Sequence, residues 1–99
     1  MAVYVISEVE TRDPVAMERY RALAAPSIAQ YGGRYLVRGG AAELKEGGPP
    51  PKTLVIVAFP SMEEAREWYA SSEYGEALKV RQTALERRLI FVEGVAETL

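Results

Sequence analysis

Two short apolar stretches constrain the fold of this chain most strongly. They are Ala2 to Val9 (Ala-Val-Tyr-Val-Ile-Ser-Glu-Val) and Thr53 to Phe59 (Thr-Leu-Val-Ile-Val-Ala-Phe). Both are rich in the β-branched and aromatic residues that favour strands. The first half of the first stretch and nearly all of the second consist of apolar residues without alternation, which is typical of strands that are covered on both faces. The sequence therefore predicts that these are the two central strands of a sheet.

The segment between residues 13 and 33 predicts a helix. Asp13 can cap the free amides, and Pro14 suits the first helical position. Pro26 cannot donate to a preceding carbonyl, so we expect it to kink or break this helix. A stripe of apolar residues recurs every three or four positions: Met17, Tyr20, Ala24, Ile28 and Tyr31. One helix face is therefore predicted to be buried, and Gly32-Gly33 is predicted to end the helix.

The stretch that follows, Arg34 to Arg38, is a predicted strand between two glycine pairs. One interpretation is structural: Gly32-Gly33 and Gly39-Gly40 let the chain turn at little steric cost. The other is that Arg38 and the amides of Gly39 and Gly40 form a cradle for a ligand carboxylate or enolate. Both interpretations can hold together.

The second half of the chain predicts a loop, two helical segments and a last strand. The loop covers residues 41–52 and contains three consecutive prolines. Ser61 and Glu64 are spaced as a capping box, in which the side chain of each residue accepts a hydrogen bond from the backbone amide of the other. Ser71-Ser72-Glu73 repeats the start signal, which predicts a second helical segment. Arg88 to Val92 is the predicted final strand.

The order of elements is then strand, helix, strand, strand, helix, strand. Right-handed connections in such a βαββαβ unit predict an antiparallel sheet of order 4-1-3-2, with the helices on one face. The other face of the two apolar central strands would lie in water. Because large apolar patches seldom stay exposed, we expect a second copy of the chain to cover it in a homodimer.

Composition excludes several classes of function. The 99 residues predict one domain, and the net charge of −2 argues against a nucleic-acid partner. No apolar run is close to about eighteen residues, the length that a membrane span needs, and no signal peptide is evident. We therefore expect a cytoplasmic protein with no membrane partner. Cysteine and histidine are absent, which excludes thiolate, serine–histidine and metal–histidine sites. No metal-ligand spacing or cofactor fingerprint is present, so none is predicted.

A set of short motifs runs through nearly the whole chain: Tyr31-Gly32-Gly33, Arg38-Gly39-Gly40, Glu46-Gly47, Phe59-Pro60-Ser61, Ala65, Trp68-Tyr69, Ser71, Glu73-Tyr74, Arg81 and Glu93-Gly94. Together they resemble the domain of unknown function 1330 family. The resemblance implies an α+β, ferredoxin-like fold and a dimeric α/β barrel, in which two sheets pack face to face. That superfamily includes cofactor-free monooxygenases, haem enzymes, isomerases and binding proteins, and the family itself implies no reaction. The segment from Gly47 to Pro51 differs from the family, because the resemblance leads us to expect an aromatic residue there and this chain has none.

The candidate ligand-binding residues combine cations, aromatic rings and glycine amides: Arg38, Gly39, Gly40, Tyr69, Tyr74 and Arg81. With Trp68 they would suit a small aromatic or unsaturated acid. The alternatives are that Trp68 is core, that the tyrosines fill the gap between helix and sheet, and that Arg81 pairs with Glu73 or Glu76. We expect Arg38 to be at least half buried, to meet an anion, and to share a cavity with one of the two tyrosines.

Two function classes remain. One is a dimer that binds a small acidic or enolisable ligand, and the other is a cofactor-independent monooxygenase or isomerase. No catalytic residue is identifiable, although Glu8, Glu46 or Glu93 would suit a base if buried. A buried carboxylate or tyrosine facing Arg38 would favour the enzyme, and a solid core there would favour the non-catalytic protein. The residues favour a binding pocket.

Overall fold

The computed structural model describes residues 1–50 and 52–96. Its elements are β1 (Val3–Thr11), α1 (Pro14–Gln30), β2 (Arg34–Arg38), β3 (Thr53–Phe59), α2 (Met62–Ala70), α3 (Ser72–Ala84) and β4 (Leu85–Glu93). The predicted order, including the split second helical region, is confirmed. The last strand begins at Leu85 and not at Arg88 as predicted. The predicted loop before β3 has no helix or strand in its described residues, and Pro51 lies outside them.

The four strands form one antiparallel sheet of order β2-β3-β1-β4. This is the predicted order, with the two most apolar strands in the middle. The register places Val5 opposite Val57 of β3 and Phe91 of β4. Because side chains alternate between the faces of a sheet, this register assigns every second residue of β1 to one face.

One face of the sheet packs against the helices and forms the core. Val3, Val5, Ser7 and Val9 of β1 are all buried there. The buried helical side chains that meet this face include Met17, Tyr20, Ala24, Ile28, Ala65, Trp68, Tyr74, Ala77 and Ala84. No helix among the described residues combines the length and the apolar character needed to cross a bilayer.

The opposite face carries a block of apolar side chains that no helix or strand of the described residues covers. We call it the open face and define it by Tyr4, Ile6, Val37, Leu54, Ile56, Ile90 and Val92. Ile56, Ile6 and Ile90 form one row across β3, β1 and β4. Ile90 is 43% exposed and Val92 is 42% exposed, which is unusual for large aliphatic side chains in neighbouring rows.

Helix α1 runs without interruption through Pro26. The prediction of a break at this residue is wrong. Pro26 and Ala22 both lie on the exposed side of the helix, so the Ala22 carbonyl that loses its amide donor remains accessible to water. The buried side of the same turn is reinforced by the Ser27 hydroxyl, which donates to the Ala24 carbonyl at 2.7 Å.

The helix ends largely follow the predicted capping pattern. Asp13 accepts hydrogen bonds from the amides of Val15 and Ala16, and Gly32 adopts the left-handed conformation with φ of +82°. Ser61 accepts from the Glu64 amide at 3.2 Å. The second half of the predicted capping box, a bond from the Ser61 amide to Glu64, is not present among the described residues, and Glu64 Oε2 is buried there without a hydrogen-bond partner.

Strand β2 contains an irregularity that determines where Arg38 points. Tyr35 pairs with Val57 and Arg38 pairs with Val55, but the register shifts between Tyr35 and Val37. This β-bulge turns Tyr35 and Arg38 toward the same face, the one covered by the helices. Without the extra residue, Arg38 would lie on the face opposite Tyr35. The Arg38 guanidinium carbon accordingly lies 4.2 Å from the centre of the Tyr35 ring.

Candidate functional site

A cavity of about 430 Å³ lies between the sheet and α1. Its walls are mostly apolar, with Val5, Val9 and Val57 from the sheet and Met17, Ala24 and Ile28 from the helix. The polar side chains on its walls are Ser7, Thr11, Tyr20, Arg21, Tyr35, Arg38, Thr53, Trp68 and Arg87. Within the described residues no carboxylate lines it, so three arginines give the cavity a positive potential.

Arg87 of β4 is the innermost arginine. Its side chain lies on the helix-covered face, where the residue pairs with Val9. Arg87 Nη1 donates to the Tyr20 hydroxyl at 2.8 Å, and Nη2 donates to the Tyr74 hydroxyl at 2.6 Å. The two hydroxyls are themselves 2.6 Å apart. The guanidinium is thus fixed in one orientation by two phenols that come from α1 and α3.

The partners of Arg87 are two phenols. Burial is the largest cause that raises the pKa of Tyr74, well above the ordinary value of a phenol. Burial alone would lower the pKa of Arg87, but the oxygens of Tyr20 and Tyr74 more than offset it and the pKa is raised. None of the ion pairs among the described residues includes Arg87. A largely buried cation without a carboxylate is rare in proteins, and an anionic ligand would supply the missing charge.

Ser7 contributes a second unbalanced polar group. It lies on the central strand β1 and is only 5% exposed, yet its hydroxyl has no hydrogen-bond partner among the described residues. An unsatisfied buried polar group costs about 1–3 kcal/mol. Ser7 is also one of the residues that line the cavity.

Arg38 and Gly39 lie at the mouth of the same cavity. Arg38 forms no ion pair with a carboxylate of the described residues, so the predicted anionic partner is not found among them, and the side chain is exposed and stacks on Tyr35. The reason is that β2 is an edge strand and residues 39–50 after it are exposed and leave it uncovered. Burial raises the pKa of Tyr35, and the neighbouring Arg38 partly opposes that rise.

The other predicted ligand-binding residues are not brought together with Arg38. Gly40 and Tyr69 do not line the cavity, and Tyr69 packs outside it against Phe91 with ring centres 6.0 Å apart. Tyr74 is fully buried behind the wall and acts through its bond to Arg87. Trp68 combines both interpretations, because it is 2% exposed and part of the core but also lines the cavity.

Arg81 lines a second, open groove of about 510 Å³, which shares Val9 and Arg87 with the cavity. The groove carries both charges, with Glu8, Glu10, Glu86, Lys52 and Arg88 along its sides. The predicted ion pair of Arg81 with Glu73 or Glu76 is not found. Glu76 pairs with Lys79 at 3.1 Å, and Glu73 accepts a hydrogen bond from Tyr31 at 2.8 Å.

Sequence reasoning missed Arg87, Tyr20 and Ser7. A usable indication existed for Arg87: if the last strand is extended back to Leu85, alternation places Arg87 on the same face as the apolar residues Leu85, Leu89 and Phe91. An arginine inside an apolar series of this kind is a candidate for a buried site. Metal ligation has no support in the described part of the chain, where no three acidic side chains converge.

The fold and the cavity together define a class: an α+β protein with a four-stranded antiparallel sheet and a basic, aromatic-lined cavity under its helices. Within that class, residues 2–95 match the family described as Domain of unknown function (DUF1330), so the chain belongs to this family. The resemblance carried by the sequence motifs is thereby confirmed. No curated protein matches the chain.

Solved structures share the fold over nearly the full chain. RPA0582 from Rhodopseudomonas palustris, a protein of unknown function, is 25% identical with a TM-score of 0.78, covering 96% of this chain and 83% of its own. SnoaB, a cofactor-independent oxygenase from Streptomyces nogalater, is 12% identical with a TM-score of 0.68, covering 98% and 96%. Rv0793 from Mycobacterium tuberculosis is 19% identical with a TM-score of 0.60, covering all of both chains. The last two similarities concern the fold alone.

Proposed function

We propose that this protein binds a small acidic or enolisable compound in the cavity between the sheet and α1. The observation that carries the proposal is Arg87, a fixed and largely buried cation that no carboxylate of the described residues neutralises. Tyr20 and Tyr74 occupy two of its N–H groups and leave other donors of the guanidinium for a ligand. A carboxylate or an enolate matches the forked geometry of those donors.

The size and lining of the cavity fit the same class of ligand. A volume of about 430 Å³ falls within the range of pockets that hold small molecules. Trp68 and Tyr35 supply aromatic walls, and Arg38 at the mouth adds a second cation that attracts an anion from solution. We propose roles for Arg87, Tyr20 and Tyr35 in place of the predicted Tyr69 and Arg81, which lie elsewhere.

We further propose that the chain is a ferredoxin-like domain that functions as a homodimer, with the open faces of two copies packed against each other as a dimeric α/β barrel. The open face supports this proposal, because its central row of isoleucines is continuous across three strands. A symmetric contact would remove both open faces from water at once. The cavity lies on the other side of the sheet and stays accessible in such a dimer.

Calorimetric titration with a panel of small carboxylic acids tests the ligand proposal. Arg87→Gln removes the charge and keeps hydrogen-bonding capacity, so we expect about 10- to 100-fold weaker binding, as for the loss of a charge-assisted hydrogen bond. Arg88→Gln is the matched control, because Arg88 is the next residue of β4 and lies on the opposite face of the sheet. It should bind as the wild type does. The proposal is wrong if no acid binds the wild type, or if the two variants bind equally well.

A second candidate function is proton transfer on an enolisable acid without a cofactor. It is favoured by the Tyr20 hydroxyl, which lines the cavity and accepts a hydrogen bond from Arg87. In this mechanism a water molecule takes the proton from the carbon next to the acid and solvent later returns one, while Arg87 and the Tyr20 hydroxyl stabilise the intervening enolate by hydrogen bonds. Deuterium exchange at the carbon next to the acid, followed by NMR, should be fast with the wild type and lost in Tyr20→Phe with binding retained. No exchange above the uncatalysed rate with any acid that binds would exclude this candidate.

A further inference from the structure

We infer that the ligand of this cavity is a hydroxy or oxo acid, whose hydroxyl or carbonyl oxygen bonds Ser7 while its carboxylate bonds Arg87. The inference rests on the proposed function and adds the second recognition element. Its basis is the Ser7 hydroxyl, which is buried, lies on the cavity wall and has no hydrogen-bond partner among the described residues.

The nearest neighbours of Ser7 along its strand and directly across from it are apolar. Its neighbours on the same strand and face are Val5 and Val9, and its cross-strand partners are Val55 and Leu89. The pattern calls for another aliphatic residue at this position, and a serine there brings a polar group that the fold itself does not use. The hydroxyl is accounted for if its partner is a bound molecule.

The other buried serine shows how this fold treats a structural hydroxyl. Ser27 donates to the Ala24 carbonyl at 2.7 Å and accepts from Trp68 Nε1 at 3.0 Å. Both serines are at most 5% exposed, but only Ser7 faces the cavity without a partner. Burial of a serine in this core is therefore not by itself a reason for an unsatisfied hydroxyl.

The register places Ser7 and Arg87 within reach of one small ligand. Ser7 pairs with Leu89, and Val9 pairs with Arg87, so Ser7 and Arg87 are diagonal neighbours on the same face of β1 and β4. Diagonal neighbours have Cα atoms about 7–8 Å apart. A single molecule that extends over the floor of the cavity can contact both side chains.

The test compares pairs of acids that differ by one oxygen group: 2-, 3- and 4-hydroxybenzoate against benzoate, and phenylpyruvate against 3-phenylpropionate. Isothermal titration should show that the wild type binds at least one oxygenated acid about 2- to 12-fold more tightly than its partner, the range for one net hydrogen bond. In Ser7→Ala this preference should vanish, while the affinity for the acid that lacks the oxygen stays the same.

The outcomes separate this inference from the proposed function. If acids bind and Arg87→Gln weakens them, but the wild type shows no preference in any pair, the inference is wrong and the proposed function stands. The same holds if Ser7→Ala keeps the wild-type preference, because the preference would then come from another group of the cavity. If no acid binds the wild type, both are wrong. If Ser7→Ala fails to fold, two measurements test the inference instead: the preference of the wild type for the oxygenated acid, and the reduction of that preference in the isosteric Ser7→Cys variant.

Discussion

Adjacent residues of β3 allow a sharp test of which face of the sheet meets a second copy of the chain. Ile56 lies on the open face, whereas Val57 is 4% exposed and belongs to the core under the helices. An aspartate at each position places the same new charge on opposite sides of one strand. Ile56→Asp should separate the proposed dimer and leave the domain folded, and Val57→Asp should unfold the domain.

The magnitudes follow from the cost of burying an unpaired carboxylate, which after relaxation is several kcal/mol per ion. A symmetric interface contains two copies of residue 56, so about 3 kcal/mol for each gives about 6 kcal/mol and weakens association about 10⁴-fold. At position 57 the same charge adds to the lost burial of a valine, about 1.5–3 kcal/mol. The sum is a large part of the about 5–15 kcal/mol that stabilises a domain.

Sedimentation velocity at micromolar concentration and circular dichroism measure the two effects separately. We expect a dimer for the wild type and for the conservative control Ile56→Val, a folded monomer for Ile56→Asp, and loss of secondary structure for Val57→Asp. A monomeric wild type would refute the dimer. A folded dimer of Ile56→Asp would show that the open face is not the interface, and a folded Val57→Asp would contradict the assignment of the core.

Three further predictions concern stability. Pro26→Ala should raise the unfolding free energy by about 1–3 kcal/mol in urea titrations, because the helix is continuous there and alanine restores the missing amide donor; an unchanged or lower value would contradict this. Gly33→Ala should lower it by about 1–3 kcal/mol, because a Cβ atom would lie 2.8 Å from the Phe59 ring; a neutral effect would show that the ring moves easily. The hydrogen bond from Tyr31 lowers the pKa of Glu73 below the ordinary value of a glutamate, so its stabilisation is present above the unfolded pKa and is lost as the pH falls through the folded pKa. Tyr31→Phe should therefore be less stable than the wild type at pH 7 and lose this difference in acid, and a pH-independent difference would argue against the carboxylate as the cause.

The arrangement of the sheet was predictable because it follows from the composition of short segments, which can be read without knowing their neighbours in space. The apolar composition of the stretches that became β1 and β3 identifies central strands without any knowledge of their partners. The error at Pro26 has a different origin. Proline costs free energy in any helix interior, but whether the helix breaks depends on the surroundings of the carbonyl that loses its donor. Ala22 lies on the exposed side of α1, which the sequence pattern did not resolve.

The candidate site was predicted only in part because its geometry depends on features without a sequence signature. The glycine pairs drew attention to Arg38, and Arg38 and Gly39 do lie at the cavity. Arg38 reaches it only because of the bulge in β2. Arg87 was missed because α3 ends at Ala84 and β4 begins at Leu85, with no glycine or proline to mark the boundary. The contact of Arg87 with Tyr20 joins residues 67 positions apart, and no local pattern contains that pair.

The alternation along β1 separates the two proposed functions of the sheet. Ile6 lies in the central row of the open face, and the next residue, Ser7, lies on the cavity floor. Tyr4 and Ile6 of this strand therefore belong to the proposed dimer contact, and Val5, Ser7 and Val9 line the proposed ligand site. A strand used on both faces accounts for the nearly continuous apolar character of this segment, which a sheet with one solvated face would not need. It also explains why a polar residue at position 7, on the floor of an otherwise apolar cavity, is better accounted for by a ligand than by the interface between copies.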